Sequence, residues 1–187
     1  MREFVTLAIS LGKRISGERD SLVFLFTEEN GIIPAQAISG YRITSKLMPH
    51  LETLRLATVR IVGNTGYRIA DALRISHQLP VTSNRYKELL RAAYIIRKLL
   101  PFFSQEPELW RLLRDEILGT RTSGVQTSLT SDVLCLLGYD PHFAGCALCS
   151  NPATHFAVED ATFYCERHGK TQNALSFTFA HEDNRRA

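Results

Sequence analysis

The apolar positions of this chain change their period near residue 80. Before that point they follow strand patterns. Residues 4–11 place Val5, Leu7 and Ile9 on one face, the two-residue period of a half-buried strand. The polar stretch Gly12-Lys13-Arg14-Ile15-Ser16-Gly17-Glu18-Arg19-Asp20 predicts a loop. Residues 21–27 form an apolar, β-rich run closed by the turn residues Glu28-Glu29-Asn30-Gly31, and a third strand is expected over 32–39, ending at Gly40. Two longer runs, 51–62 and 67–76, flank Gly63-Asn64-Thr65-Gly66, whose residues suit a hairpin with positive φ. Five strands without an intervening helix imply a small closed barrel. The OB-fold is the five-stranded barrel that binds oligonucleotides on one face and in its loops.

Pro80 marks the change to a helical period. Thr82-Ser83-Asn84 offer a cap to a helix over 85–100, in which Tyr86, Leu89, Leu90, Ala93, Tyr94, Ile96, Leu99 and Leu100 recur mostly three or four apart. Pro101 stops it. A second helix over 106–118 carries Leu109, Leu112, Leu113 and Ile117, with Pro107 suited to its first turn and Gly119 at its end. Residues 120–130, rich in Thr, Ser and Gly, fit a loop or a weak helix start equally. Ser131-Asp132 then cap a short helix through Leu137, ended by Gly138, and Cys135 within it reads as a buried thiol. Residues 175–179 alternate like a short strand, and 181–187 read as a frayed polar tail. The expected organisation is α+β and multi-domain. It places an N-terminal five-stranded OB-fold β-barrel over residues 1–78, a central helical domain over 79–140, and a zinc-binding module with the C-terminal tail over 141–187.

The most specific chemistry lies in that last segment. Cys146-Ala-Leu-Cys149 is followed after fifteen residues by Cys165-Glu-Arg-His168, which reads Cys-x2-Cys-x15-Cys-x2-His. Two such knuckles supply three thiolates and one imidazole at the corners of a tetrahedron. Soft sulfur with imidazole favours zinc over magnesium or calcium. Four protein ligands leave no position for a catalytic water, so one structural Zn2+ is expected. A disulfide pair, or unrelated surface cysteines, is the alternative; disulfides are rare in intracellular chains.

Composition adds boundaries. With 187 residues, 44% of them hydrophobic and 22% charged, the chain can bury real cores. No run of about 18 apolar residues predicts a membrane helix, the N-terminus has no signal-peptide pattern, and a cytoplasmic location is expected. The formal net charge of +3 is concentrated early: residues 1–76 carry ten Lys/Arg against seven Asp/Glu. An anionic partner would therefore bind there. Phosphate-loop, nucleophile-elbow and His-Glu-x-x-His patterns are all missing from the sequence, and His50, His77, His142, His155 and His181 are scattered. The reading is of no enzyme and no small-molecule substrate. Lys13, Arg14, Arg19, Arg42 and Lys46 fall in two predicted loop regions that a barrel can bring to one side, where cations engage phosphates with little sequence preference. Arg55, Arg60 and Arg68 on predicted strands extend that groove, with Tyr41 and Tyr67 as platforms for unpaired bases.

Three stretches resemble one family in order along the chain. Residues 16–31, Ser-Gly-Glu-Arg-Asp-Ser-Leu-Val-Phe-Leu-Phe-Thr-Glu-Glu-Asn-Gly, resemble the first hairpin of the bacterial DNA repair and recombination mediator family RecO. Residues 37–47 are similar to its glycine-then-basic loop, although only Arg42 and Lys46 supply cations. Leu136-Leu137-Gly138-Tyr139-Asp140-Pro141 looks like the approach to the family's zinc module, here with His168 as fourth ligand instead of cysteine. The resemblance implies a non-enzymatic, cytoplasmic and nucleoid-associated protein that binds single- and double-stranded DNA and anneals complementary strands. It implies work with RecR to load RecA onto DNA covered by single-strand binding protein. Arg91, Arg97 and Lys98 on the first helix are then candidates to receive the acidic tail of that binding protein. An adaptor of the same fold with little DNA binding, or an unrelated OB-fold and zinc-ribbon protein acting on RNA, are the competing readings.

Overall fold

Strands β1 (Arg2–Ser16), β2 (Asp20–Thr27), β3 (Gly31–Ala37), β4 (Leu56–Gly63) and β5 (Tyr67–Arg74) close into a barrel in the order β1-β2-β3-β5-β4. The computed structural model describes residues 2–18, 20–38, 47–76, 83–121, 128–172 and 175–176. Neighbouring strands are antiparallel except at the seam, where β3 and β5 run parallel through Ala35↔Tyr67 and Gln36↔Arg68. A closed five-stranded barrel of this kind is consistent with the expected OB-fold.

Alternation explains its interior. Val23 and Leu25 of β2, Ile33 and Ala35 of β3, Val59 and Ile61 of β4, and Ile69 of β5 pack inside. Phe24 and Phe26 point to the opposite face of β2 and are nevertheless buried, at 8% and 0% exposure. This is why residues 21–27 form a nearly continuous apolar run, the signature of a strand covered on both sides. The cover comes from α1 (Asn84–Leu99), which lies against β1, and α2 (Pro107–Leu118), which packs on α1. The indole Nε1 of Trp110 on α2 donates to the Phe26 carbonyl at 3.1 Å. Ser83 caps α1 by accepting from the Tyr86 amide at 3.1 Å. The connection after α1 lies on the start of β3, where the Phe103 amide donates to Ile32 O at 3.1 Å. Gly31 permits this approach: its φ is +62°, and a Cβ there would run into the Ser104 backbone.

Four local expectations are corrected. Residues 12–16 continue β1 instead of forming a loop, through a bulge between Ser10 and Lys13, and pair with β2 as Lys13↔Val23, Arg14↔Leu22 and Ser16↔Asp20. Their polarity reflects an exposed hairpin arm whose backbone groups are still satisfied. The fourth strand begins at Leu56; before it, a 3-10 turn over Met48–His50 and the following bends bury Met48, Leu51 and Leu54. Helix α3 spans Leu129–Leu136 and is capped by Ser128, whose hydroxyl accepts from the Ser131 amide at 3.1 Å. Its buried side carries Leu129, Thr130, Val133 and Leu134, which leaves Cys135 exposed instead of buried.

Contacts divide the chain into two compact units, Met1–Arg121 and Thr122–Ala187. Helices α1 and α2 fall with the barrel and α3 with the cysteine-rich segment. The second unit adds a sheet in the order β7-β6-β8, from β6 (His155–Ala157), β7 (Thr162–Tyr164) and β8 (Leu175–Ser176), and a short helix α4 (Glu166–Thr171). Strands β6 and β7 and helix α4 were not expected from sequence. Of the predicted strand over 175–179, only 175–176 are described, and the tail 181–187 lies outside the described residues.

Candidate metal centre and nucleic-acid surface

The β6–β7 hairpin and the two knuckles bring the four predicted ligands together. The first knuckle turns through the Cys149 amide, which donates to Cys146 O at 3.3 Å, and is tied to β7 by the Ala147 amide donating to Phe163 O at 3.0 Å. Cys165 sits at the N-cap of α4, so His168 lies one turn further on. Gly169 lets that helix reach β6, since any side chain there would collide with the His155 ring.

The donor atoms have the spacing of a tetrahedron. Nδ1 of His168 lies 3.3 Å from Cys146 Sγ, 3.7 Å from Cys149 Sγ and 3.5 Å from Cys165 Sγ, and the Cys149 and Cys165 sulfurs are 3.8 Å apart. Around a zinc ion the expected edges are about 3.8 Å between sulfurs and about 3.6 Å between sulfur and nitrogen. The residues fit the group, and this Cys3His cluster can hold one metal ion, consistent with zinc. Electrostatics give the same reason for a cation. Burial opposes ionisation of the Cys146 thiol, but the amides of Cys165, Leu148 and Cys149 and the His168 ring outweigh it, and the thiol falls to about 5. At Cys149 the Asn151 amide favours the thiolate, but burial and the Cys146 and Cys165 sulfurs prevail and the thiol rises. Three thiolates so close need a positive centre.

A second group went unnoticed in the sequence. Cys135, Asp140 and His142 lie within reach of one another, but their hydrogen bonds account for them. Asp140 accepts from the His142 amide at 2.9 Å and faces the ring Nδ1 at 2.8 Å, and the amide above all holds its carboxyl below the usual range. Partial desolvation of the sulfur, on a residue that is otherwise exposed, and the adjacent Asp140 push the Cys135 thiol up to about 11, so it stays protonated.

The basic candidates separate into three groups. Arg19, Tyr41, Arg42 and Lys46 lie outside the described residues. Several others are engaged. Lys13 pairs with Glu52 at 3.0 Å, Arg60 with Glu3 at 3.1 Å and Arg91 with Glu88 at 2.9 Å, while Lys98 stands over the Tyr94 ring. Arg55 is 6% exposed and donates to Ser76 O at 3.3 Å, which places it inside the barrel end and not on its surface. The third group is Arg14, Arg68 and Arg97, which have no carboxylate partner among the described residues. Arg14 on β1 and Arg97 on α1 both lie against one ring, their guanidinium carbons 5.9 Å and 5.3 Å from the Phe24 centroid. Arg68, with Tyr67, Gln36 and the β4–β5 hairpin, lines a cavity of ≈ 590 Å³. Two exposed aromatics that the sequence reading passed over, Phe102 and Phe103, lie in the connection between the helices. Two adjacent aromatics directly after a helix-stopping proline were the signal.

Fold and site together define a closed five-stranded barrel protein with a helical cover and a separate Cys3His metal module. No protein-family model matches the chain. Two curated relatives do: the DNA repair protein RecO of Caldanaerobacter subterraneus subsp. tengcongensis is 25% identical over 157 residues, covering 80% of this chain and 64% of the relative. The DNA repair protein RecO of Dehalococcoides mccartyi is 31% identical over 157 residues, covering 79% of this chain and 61% of the relative. These similarities support a RecO-like family for the chain, which spans less than two thirds of the length of those relatives.

Proposed function

We propose that this chain is a DNA repair protein of the RecO kind, a mediator and not an enzyme, which binds single- and double-stranded DNA through its barrel and anneals complementary strands. The observation that carries the reading is similarity to two RecO proteins over about four fifths of the chain. Arg14, Arg68 and Arg97, which have no carboxylate partner among the described residues, support it, because they can meet phosphate without first breaking an ion pair there. In this reading the metal centre is structural. Barrel, helices and zinc module act as three working parts, and RecR, RecA and single-strand binding protein are the partners in a cytoplasmic, nucleoid-associated role. Among the described residues, no helix is long and apolar enough to cross a membrane.

The test is annealing of complementary oligonucleotides coated with cognate single-strand binding protein, with and without this protein. Acceleration that declines with added salt is expected. No acceleration, with firm binding to the coating protein's acidic tail, would replace the mediator with an adaptor.

A further inference from the structure

We propose that Phe102, Phe103 and Tyr67 form a stacking track for unpaired bases, with Arg14 and Arg97 at one end and Arg68 at the other. The proposal rests on the DNA-binding reading above and deepens it, by locating where a single strand is distinguished from a duplex. Phe102 and Phe103 are 50% and 52% exposed, although each packs one side against a partner ring. Phe102 stacks on Phe24 with centroids 6.0 Å apart and planes at 23°, and Phe103 meets Tyr67 at 5.8 Å. Tyr67 in turn meets Phe4 edge-on at 6.2 Å, and both half-buried rings pack against the barrel core.

This row is built stiffly. Phe103 adopts φ +64°, a conformation that aromatic residues rarely take, and its amide is pinned to Ile32 O at 3.1 Å. Packing that merely covered β3 would be met by an ordinary backbone and a ring turned inward; here Phe103 takes a strained backbone and its ring still stands half in water. Charge chooses the occupant. Two guanidinium groups lie 5.9 Å and 5.3 Å from the Phe24 centroid, with no carboxylate partner among the described residues, and so offer positive charge to an anion. At the far end Arg68 and the exposed hairpin backbone line the ≈ 590 Å³ cavity beside Tyr67, a volume of the size that takes small ligands. Aromatic faces between cationic ends match a strand whose bases are open and whose phosphates are regularly spaced. A duplex keeps its base faces stacked inside and would find only the arginines.

The experiment titrates the whole protein into a labelled oligo-dT and, separately, a hairpin duplex with the same number of phosphates, at several salt concentrations. Phe102→Ala with Phe103→Ala is expected to weaken oligo-dT binding by about tenfold or more, and to leave duplex affinity and both salt slopes unchanged. Phe103→Leu keeps the apolar packing but removes the π face, so it should show the same selective loss even if the double variant fails to fold. Arg14→Gln with Arg97→Gln should weaken both ligands and make each log–log salt slope shallower by about one to two. Oligo-dT affinity unaltered in Phe103→Leu, or an equal loss on both ligands, would overturn the track while leaving DNA binding in place. Wild-type protein that binds neither ligand would instead sink the DNA-binding reading itself, before any variant is made. An acidic, aromatic peptide that binds this row and is not displaced by oligo-dT would make the row a peptide site and also overturn the proposal.

Discussion

The barrel unit and the cysteine unit bury very different interiors. Residues 1–121 enclose a large aliphatic core inside the barrel and a second layer in which Ile95, Ile96, Leu109, Trp110 and Leu113 are each 1% exposed or less. Among the described residues of 122–187, Phe156 meets Tyr139 at 5.4 Å and Phe163 at 4.8 Å, Leu129, Val133 and Leu134 are buried, and the candidate ligands Cys146 and Cys165 are buried with Ala157 and Tyr164. The first unit is stabilised by removing apolar surface from water, which requires no cofactor. The second gathers a Cys3His cluster that can hold a metal ion, and in the proposed reading that ion holds its sulfurs in place. On that reading one chain contains two kinds of stability, and the expectation is that they can be perturbed separately.

The sharpest way to break that comparison is to remove the metal. Apparent binding free energies for structural zinc are on the order of 10 kcal/mol, and they are folding free energy. Strong chelation, or Cys146→Ser, is expected to abolish the ordered amide spectrum of residues 128–172 while the barrel resonances stay dispersed. Collapse of both sets together would mean that the units are not independent. Next in size is Trp110→Ala, expected to cost about 3–5 kcal/mol by leaving a cavity over β2. In calorimetry only the transition of the first unit should move, and a shift in the metal-dependent transition would count against the division. Gly31→Ala should cost more than about 1 kcal/mol, because both its φ and the Ser104 backbone exclude a side chain. The smallest effect is expected for Arg111→Ala, which removes an exposed pair with Glu28 at 3.0 Å, at about 0–1 kcal/mol in denaturant titrations. A larger cost there would show that surface charge, and not burial, holds α2 to the barrel.

Much of this arrangement was legible in the sequence, for identifiable reasons. The clustering of Cys146, Cys149, Cys165 and His168 was readable because Cys-x2-Cys and Cys-x2-His fix turns by local geometry alone. The barrel strands were readable where alternation is set by one buried face. Residues 12–16 were misread because an exposed hairpin arm and a loop have the same polar composition, and only pairing with β2 tells them apart. Cys135 was misread because a short helix of apolar residues does not reveal which side is covered. Arg55 showed the same limit: a cation on a strand looks exposed until the barrel end closes around it. The convergence of Arg14 and Arg97 on Phe24 could not be read at all, since it joins positions far apart in the chain.

Trp110 has a practical consequence. It is the single tryptophan of the chain, and it lies 1% exposed with its indole N–H held by the Phe26 carbonyl. Its emission is an intrinsic optical reporter of the junction between α2 and the barrel. Cobalt(II) held by the Cys3His cluster would give the second unit a colour of its own through the d–d bands of a tetrahedral site. Without any attached dye, one cuvette would then follow the two halves of the molecule at two separate wavelengths.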